Sequence, residues 1–186
     1  MPWFPVIDRS RDSTPVRLVF DAAARDKTGK SLNSEIELTP NRLQDLLKIW
    51  MRLRKFQWVV TSDVSEMFLK CILDPADRRY HRFVFNGEDY EWNVTMFGNL
   101  SSPNGSQKVL DINCEMHGKD KPEAVESIRH SCFMDDVGDT RDEEKEAWQL
   151  AKELIQLLPM CGMPVRKFYT NSPLVLSKID PELLAK

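Results

Sequence analysis

Three aspartates stand at the ends of apolar segments of this sequence. The run Cys132-Phe133-Met134-Asp135-Asp136-Val137-Gly138 ends in two adjacent carboxylates and a glycine, and Asp63 follows the apolar segment 58–62 about 70 residues earlier. Adjacent carboxylates repel each other and are costly to desolvate unless a cation lies between them. The three side chains therefore suit a pair of Mg²⁺ ions, which prefer oxygen ligands and support phosphoryl chemistry when about 3.5–4 Å apart. The alternative is an Asp-rich hairpin turn, because Asp is common in turns.

Strands must position these acids, and several segments have strand-like patterns. Residues 16–20 alternate around Arg17, which is either an edge charge or a ligand for phosphate. Segments 80–85 and 90–95 flank Asn86-Gly87, a strong hairpin signal. We expect a strand over 133–136 that folds back at Val137-Gly138, with both aspartates at the hairpin tip. Segments 165–169 and 174–176 are also strand-like, whereas residues 1–15 are expected to form an extended arm.

Helical periodicity predicts the elements that pack against these strands. Thr39 is expected to cap a helix that begins at Pro40 and ends near Phe56. Further helices are expected over 103–117, 123–130 and 143–158, and the last has the clearest apolar face. Segment 64–69 is expected to be a tight turn with short helical character. The order of elements predicts an α+β fold in which helices pack on one face of an antiparallel sheet.

Composition is that of a globular protein. The 186 residues suffice for one domain, or for one domain with a small lobe, and are 41% hydrophobic and 30% charged. The net charge of -3 argues mildly against a surface that grips nucleic acid everywhere. Basic residues are nevertheless clustered, either as solvated faces or as local binding surfaces. The clusters are Arg42, Lys48, Arg52, Arg54 and Lys55; Arg78, Arg79, His81 and Arg82; and Arg166 with Lys167.

Cysteine spacing and hydropathy indicate where the protein resides. Cys71, Cys114, Cys132 and Cys161 show no paired spacing of the kind used for zinc or redox chemistry, so we expect reduced thiols. We expect no membrane span, since no apolar segment is long enough. The N-terminus is too short and too rich in proline for a signal peptide. An intracellular, cytoplasmic protein is expected, with a particle or the nucleus as alternatives.

Six blocks of this sequence, in order, resemble the reverse transcriptase of LTR retrotransposons, specifically the BEL/Pao group. The resemblance extends from about residue 5 to residue 180. The blocks are 16–23, 31–33, 63–68, 97–103, 133–136 and 165–171. Two departures are Phe133, where the family usually has tyrosine, and Trp3-Phe4, where the group tends to have two histidines.

The resemblance implies the fingers and palm of a polymerase right hand. Residues 1–56 would form partial fingers and a leading helix, and residues 57–186 the palm, with a fingers hairpin interleaved at about 78–96. The thumb would be absent. The activity implied is RNA-directed DNA polymerisation, in which dNTPs are added to a primer 3′-hydroxyl on an RNA/DNA template-primer. Other polyprotein domains (thumb, RNase H and integrase) would be supplied elsewhere, and the oligomeric state is left open.

The resemblance also implies roles for individual residues. Asp63, Asp135 and Asp136 would be the catalytic metal ligands for two Mg²⁺ ions, with Mn²⁺ as a substitute. Lys167 would protonate the pyrophosphate leaving group as general acid. Phe68, a core residue on composition alone, would be a steric gate against the 2′-hydroxyl. The remaining substrate contacts would be Arg17 to the triphosphate, Gly98, Ser102 and Gln107 along the nascent base pair and template, and Met134 against the primer end.

Two other function classes are kept open. A degenerate or domesticated palm domain could bind nucleic acid or a protein partner without polymerase activity. A nucleotide cyclase or a template-independent transferase could use the same acids. The aromatic side chain of Phe68 and the loop 98–103 favour a templated polymerase over a cyclase, and the three retained acids favour activity over binding alone.

Overall fold

The computed structural model describes residues 1–9, 15–37 and 40–185. It divides into two compact units. Unit 1 comprises Met1–Pro40 and Phe68–Pro103, and unit 2 comprises Asn41–Met67 and Asn104–Lys186.

Unit 1 begins with a two-stranded antiparallel pair. Strand β1 (Trp3–Ile7) pairs with β2 (Val16–Phe20), with Pro5 opposite Leu18. Proline lacks an N–H but is tolerated on an edge strand. The strand at 16–20 is confirmed. The expected extended arm over 1–15 is wrong for Trp3–Ile7, which form a paired strand. All of this strand but Trp3 is exposed, so buried and exposed positions do not alternate along it.

The second hairpin of unit 1 is confirmed at its Asn86-Gly87 turn, but its second strand covers Glu88–Glu91 and not the expected 90–95. Strand β4 (Arg82–Phe85) pairs with β5 (Glu88–Glu91), and Phe85 faces Glu88 across the turn. Asn86 and Gly87 both have positive φ, 52° and 81°. A two-residue turn of this kind matches the twist of the strands it joins. The Phe20 ring packs edge-on against Phe83 and Trp92. These two partly buried rings pack against a core cluster of Phe20, Ala22 and Met96.

Unit 2 contains an antiparallel sheet with Asp63 and Asp136 in its strands and Asp135 in a turn between two of them. Its strands are β3 (Trp58–Val64), β6 (Cys132–Phe133), β7 (Asp136–Arg141) and β8 (Val165–Thr170), in the order β6-β7-β3-β8. Each neighbouring pair is antiparallel. The expectation of an antiparallel sheet is confirmed. Asp63 lies within β3 rather than after it.

The helices are α1 (Leu32–Glu35), α2 (Leu46–Arg52), α3 (Ser102–His117), α4 (Pro122–Ser131), α5 (Glu144–Leu157) and α6 (Pro173–Lys178). Short 3₁₀ helices cover Met67–Lys70, Arg78–Tyr80, Leu158–Cys161 and Pro181–Leu183. The expected helices 103–117, 123–130 and 143–158 are confirmed. Helix α5 buries Leu150, Leu154 and Leu157 completely. Each such leucine contributes roughly 1.5–3 kcal/mol relative to an exposed position.

Helix α2 is shorter than expected. It begins after Asp45, whose carboxylate accepts from the Leu47 N–H at 2.9 Å, and not at Pro40. Upstream, the Asn41 side chain accepts from the Leu43 N–H at 3.0 Å. Side-chain acceptors of this kind compete with helical hydrogen bonds, which explains the irregular segment 41–45. The expected cap at Thr39 lies outside the described residues.

Segment 174–176 was expected to be a strand and is instead part of α6. The Ser172 hydroxyl accepts from the Val175 N–H at 3.0 Å, and Pro173 occupies the first turn. Serine at the N-cap and proline at the first helical position are strong helix-start signals. Short apolar runs occur in both strands and helices, and here the Ser172 cap favours the helix.

The turn before β7 also differs from the sequence expectation. Phe133 pairs with Asp136, so the chain reverses at Met134-Asp135 and not at Val137-Gly138. Gly138 lies inside β7 and faces Thr61 of β3. A Cβ on Gly138 would lie 2.7 Å from Thr61 Cγ2. This glycine therefore allows close strand packing and does not form the turn.

Within the described residues, no helix is long and apolar enough to cross a bilayer. No disulfide bond links the four cysteines, all of which lie in the described part of the chain.

Candidate active site

A row of three charged side chains crosses the sheet of unit 2. Asp63 on β3 is directly opposite Asp136 on β7 and, on its other side, directly opposite Arg166 on β8. Residues directly opposite each other in antiparallel strands project from the same face, and neighbouring strands are about 4.8 Å apart. The sheet register therefore places two carboxylates and one guanidinium side by side.

Asp63 is bound by cations from β8. The Nε of Arg166 donates to Asp63 Oδ2 at 3.0 Å, and the Nζ of Lys167 lies 3.6 Å from the same oxygen. The Asp63 side chain is 20% exposed. The arginine contact is a charge-assisted hydrogen bond, whereas the lysine is beyond hydrogen-bonding distance and acts through its charge.

A bulge in β8 brings these two consecutive residues to one oxygen. Thr61 pairs with Tyr169 and Asp63 with Arg166, so β8 has one more residue than β3 between the same two pairs. Lys167 has a φ of +54°. Successive strand residues normally project from opposite faces, and a bulge is a common way to redirect a side chain next to a functional site.

The Met134-Asp135 turn holds the third carboxylate. The Val64 N–H donates to the Asp135 carbonyl at 2.6 Å, which ties the turn to β3, and the Asp135 side chain is exposed. Met134 has a φ of +53°. Such a conformation is uncommon for a residue with a side chain and costs on the order of 1–3 kcal/mol unless its surroundings enforce it.

Gln107 of α3 supports this turn from inside unit 2. The buried Gln107 side chain donates through Nε2 to the Met134 carbonyl at 3.3 Å and lies 3.8 Å from Cys132 Sγ. The Cys132 thiol also donates to the Met134 carbonyl at 3.3 Å. Burial raises the pKa of the Cys132 thiol to about 12, so this group stays protonated as a donor.

The charges around Asp136 make it a weaker acid than usual. Burial is the largest cause of its raised pKa, followed by the negative charges of Asp135 and Asp63; the positive charge of Lys167 acts in the opposite direction. Like charges close together disfavour ionisation. The pKa of Asp136 is therefore raised in part by the two other carboxylates, and perturbed pKa values are frequent at functional sites.

Asp139, on the same strand, shows the opposite behaviour. Burial alone would raise its pKa, but the hydrogen bond from Arg52 at 2.8 Å, a backbone hydrogen bond and the charge of Arg141 together lower it. Asp139 is 2% exposed. A buried carboxylate neutralised by two arginines has a structural role, so β7 carries one structural aspartate and one with a raised pKa.

The donor set suits a divalent cation in its chemistry, because carboxylate oxygens are the preferred ligands of Mg²⁺. Across residues 1–9, 15–37 and 40–185, however, no three Asp, Glu, His or Cys side chains are arranged as a metal-binding group. In this structure Asp63 Oδ2 is in contact with Arg166 and Lys167. A metal ion that binds through Asp63 Oδ2 would compete with these two cations.

Four of the expected substrate-contacting residues lie in unit 1. Arg17 is exposed on β2, opposite Val6. Phe68 is half-buried, its ring is 5.1 Å from that of Phe97 in an edge-on contact, and its carbonyl accepts from the Thr95 hydroxyl at 2.6 Å. The ring of Phe68 is thus held by a neighbour while part of it stays accessible.

Gly98 and Ser102 organise the loop that precedes α3. Gly98 has a φ of +91°, and a Cβ there would lie 2.7 Å from the Phe20 carbonyl oxygen. The expectation that Gly98 adopts an unusual conformation is confirmed. The buried Ser102 hydroxyl donates to the Met96 carbonyl at 2.8 Å. This hydrogen bond closes the loop between Met96 and Ser102.

Arg166 was missing from the sequence-based set of site residues, although it makes the shortest side-chain contact to Asp63. In the sequence it stood out only as part of a basic pair with Lys167. Its position opposite Asp63 follows from the pairing of β3 with β8, which the sequence does not reveal.

The profile of the family described as Reverse transcriptase (RNA-dependent DNA polymerase) matches residues 22–167, which is most of the chain. The chain belongs to this family. A comparison with curated proteins gives no match.

Solved structures of the prototype foamy virus protease-reverse transcriptase share the fold. The native enzyme is similar with a TM-score of 0.68 and 21% identity, over 90% of this chain and 20% of that one. A foamy viral protease-reverse transcriptase in complex with an RNA/DNA hybrid has a TM-score of 0.66 and 19% identity, over 88% of this chain and 19% of that one. The chain spans about a fifth of the length of these proteins.

Proposed function

We propose that this chain is the core of an RNA-directed DNA polymerase whose catalytic centre is the end of the β3–β7 pair. The observation that carries the proposal is the direct cross-strand pairing of Asp63 with Asp136, with Asp135 in the adjoining turn. Evolution of a stable sheet alone would not favour like charges at directly opposite positions, because they destabilise the pair. A function that needs clustered carboxylates explains the arrangement.

In this proposal Asp63, Asp135 and Asp136 would hold two Mg²⁺ ions, or Mn²⁺ in their place. Bound metal would activate the primer 3′-hydroxyl and neutralise charge on the triphosphate. The chain's own residues would do the rest. The turn at Met134-Asp135, fixed by Val64 and Gln107, would keep one carboxylate at the exposed edge of the sheet.

Lys167 would act as the general acid for the pyrophosphate leaving group. Support comes from its position within 3.6 Å of Asp63 and from its exposed side chain, which leaves the ammonium accessible to a substrate. A general acid must come within hydrogen-bonding reach of the group that it protonates. A flexible lysine can make that adjustment.

The remaining roles concern the incoming nucleotide and the template. Arg17 would bind the triphosphate, Phe68 would exclude the 2′-hydroxyl, and Met134 would contact the primer end. Gly98, Ser102 and Gln107 would line the nascent base pair and template. The half-exposed ring of Phe68, fixed by Phe97, supports its assignment as a rigid barrier.

The substrates proposed are dNTPs and an RNA/DNA template-primer. The fold is shared with foamy viral enzymes described in complex with an RNA/DNA hybrid and with double-stranded DNA. Within the family we assign the chain to the BEL/Pao group, on the motif blocks given above. Localisation in the cytoplasm, with a particle or the nucleus as alternatives, remains a proposal.

The proposed architecture is the fingers and palm of a right-handed polymerase. Residues 1–56 would provide partial fingers, and residues 57–186 the palm with the interleaved hairpin at about 78–96. The compact units have other boundaries, since residues 41–56 belong to unit 2 and the hairpin belongs to unit 1. Thumb, RNase H and integrase functions would come from other domains.

Primer extension tests the proposal. The purified chain, given an RNA template, a DNA primer, dNTPs and Mg²⁺ or Mn²⁺, should extend the primer. Asp135→Asn combined with Asp136→Asn should abolish extension, and Asp63→Asn should do the same. Asp142→Asn is the matched control, because Asp142 is an exposed acid just beyond the opposite end of β7.

Extension that survives in the Asp135→Asn, Asp136→Asn double variant would refute the assignment. If the chain binds template-primer but does not extend it under any metal condition, the domesticated binding module becomes the better description. Binding of the template-primer, measured by fluorescence anisotropy at a stated salt concentration, separates these outcomes.

A further inference from the structure

The Asp63 carboxylate has competing partners on its two sides. On the β7 side lies Asp136, with which it would share a metal ion; on the β8 side Arg166 donates to its Oδ2 at 3.0 Å. A carboxylate oxygen that accepts a hydrogen bond from a guanidinium offers less of its lone-pair density to a metal. A metal ion that binds through Oδ2 would therefore compete with Arg166 for this oxygen.

We propose that Arg166 is a positioning residue that holds Asp63 in place and is displaced from Asp63 Oδ2 when a divalent cation binds. Because the competing ligand is the metal of the polymerase centre, this inference rests on the proposed function. Arg166 would then set how much free cation is needed to assemble the centre.

The chemistry of arginine suits this role. The Arg166 side chain is 43% exposed and can move into solvent when released. A partly exposed ion pair is weak, typically below about 1 kcal/mol, and a divalent cation can replace it.

Lys167 is a less suitable candidate for this role. Its Nζ is 3.6 Å from the same oxygen and forms no hydrogen bond at that distance, whereas the Arg166 Nε does. The cross-strand register also places Arg166, and not Lys167, directly opposite Asp63.

The opposite role for Arg166 makes a different prediction. An arginine that remains in place and orients Asp63 for the metal would raise metal affinity, and its removal would weaken binding about 10-fold or more. An arginine that must leave lowers metal affinity, and its removal strengthens binding. The sign of the change distinguishes the two roles without any measurement of activity.

The experiment is a Mn²⁺ titration of the whole chain in the absence of nucleotides and nucleic acid, with free Mn²⁺ followed by electron paramagnetic resonance. Arg166→Gln should bind Mn²⁺ about fivefold more tightly than wild type, the factor that corresponds to about 1 kcal/mol. Arg166→Lys keeps the charge and should bind with intermediate affinity. Arg129→Gln removes an exposed arginine elsewhere in unit 2 and should leave the affinity unchanged.

A double-mutant cycle separates a direct contact from a general charge effect. In the Asp63→Asn background, Arg166→Gln should no longer change Mn²⁺ affinity, because the contested oxygen is lost. Thermal unfolding midpoints verify that the variants are folded, and if Arg166→Gln fails to fold, Arg166→Lys provides the comparison.

Unchanged or weaker Mn²⁺ binding by Arg166→Gln overturns this inference. If wild-type binding nevertheless depends on Asp63, the metal site of the proposed function stands and only the role of Arg166 is wrong. If wild type binds no Mn²⁺ that depends on Asp63, both the role of Arg166 and the proposed metal site are wrong.

Discussion

Asp63 and Asp136 occupy directly opposite positions on the antiparallel strands β3 and β7. Their side chains project from the same face of the sheet, and the negative charge of Asp63 contributes to the raised pKa of Asp136. The pair thus costs stability in order to concentrate negative charge, and this cost can be measured.

The raised pKa of Asp136 predicts how stability depends on pH. A folded-state pKa above the ordinary value of 3.8 means that the native state binds the proton more tightly than the unfolded state. The contribution of Asp136 to stability therefore falls as pH rises from 3.8 through the higher pKa of the folded state. We expect Asp136→Asn to raise the urea midpoint at neutral pH, with the difference disappearing below pH 3.8.

The same urea titrations on Asp142→Asn, an exposed acid outside the cluster, supply the comparison. A neutral-pH midpoint for Asp136→Asn at or below wild type would show that the repulsion among the three carboxylates is not significant for stability.

The contribution of Asp139 to stability should change with pH in the direction opposite to that of Asp136. The pKa of Asp139 lies below 3.8, because the hydrogen bond from Arg52, a backbone hydrogen bond and the charges of Arg141 and Arg52 together outweigh the effect of burial. Its stabilising contribution is therefore present above pH 3.8 and is lost as pH falls through the lowered folded-state value. Asp139→Asn leaves Arg52 and Arg141 without their buried partner and should cost about 3 kcal/mol at neutral pH. Chemical denaturation at neutral and acidic pH measures both quantities, and a loss that is equal at the two pH values would contradict the ion-pair account.

Phe68 should govern the choice of sugar if it is the steric gate. Phe68→Ala removes the ring and should admit ribonucleotides more readily, seen as a higher ratio of rNTP to dNTP incorporation in primer extension. Phe97→Ala removes only the edge-on neighbour of Phe68 and should have a smaller effect. Unchanged discrimination in Phe68→Ala would leave Phe68 as a packing residue.

Gly138 should tolerate no side chain. In Gly138→Ala the new methyl group would lie 2.7 Å from Thr61 Cγ2, and overpacking of this kind costs about 1–3 kcal/mol. Thr61→Ser removes that methyl group from β3 and should recover much of the loss in the double variant. Gly105→Ala, at a helical position with open space, should instead stabilise by about 0.5–1 kcal/mol. Urea unfolding of the four variants checks the prediction, which fails if Thr61→Ser gives no recovery.

Local signals in the sequence predicted the elements whose structure is decided locally. Asn86-Gly87 favoured the observed hairpin because two positive φ angles suit these residues, and the apolar stripe of α5 matched its buried face. Short elements were harder. Residues 41–45 and 173–178 depend on individual side-chain caps, which change the structure without altering the apolar pattern.

The types of the site residues could be identified, but their contacts could not. Carboxylates at the ends of apolar segments indicated Asp63, Asp135 and Asp136. The contact between Asp63 and Arg166 depends on strand register and on a bulge in β8, which arise from pairing between segments 103 residues apart. Side chains carry no local signal of such a register.

The row of Asp136, Asp63 and Arg166 has a consequence for folding kinetics. Strands β6 and β7 are neighbours in the chain and can pair early, but β3 reaches them only by closing a loop of about 70 residues, and β8 pairs with β3 across a longer interval. Ordering such long loops is entropically costly and slow. We therefore expect the charge cluster to be assembled late in folding, and an intermediate that contains only the β6–β7 hairpin would lack the pairing of Asp63 with Asp136 and Arg166.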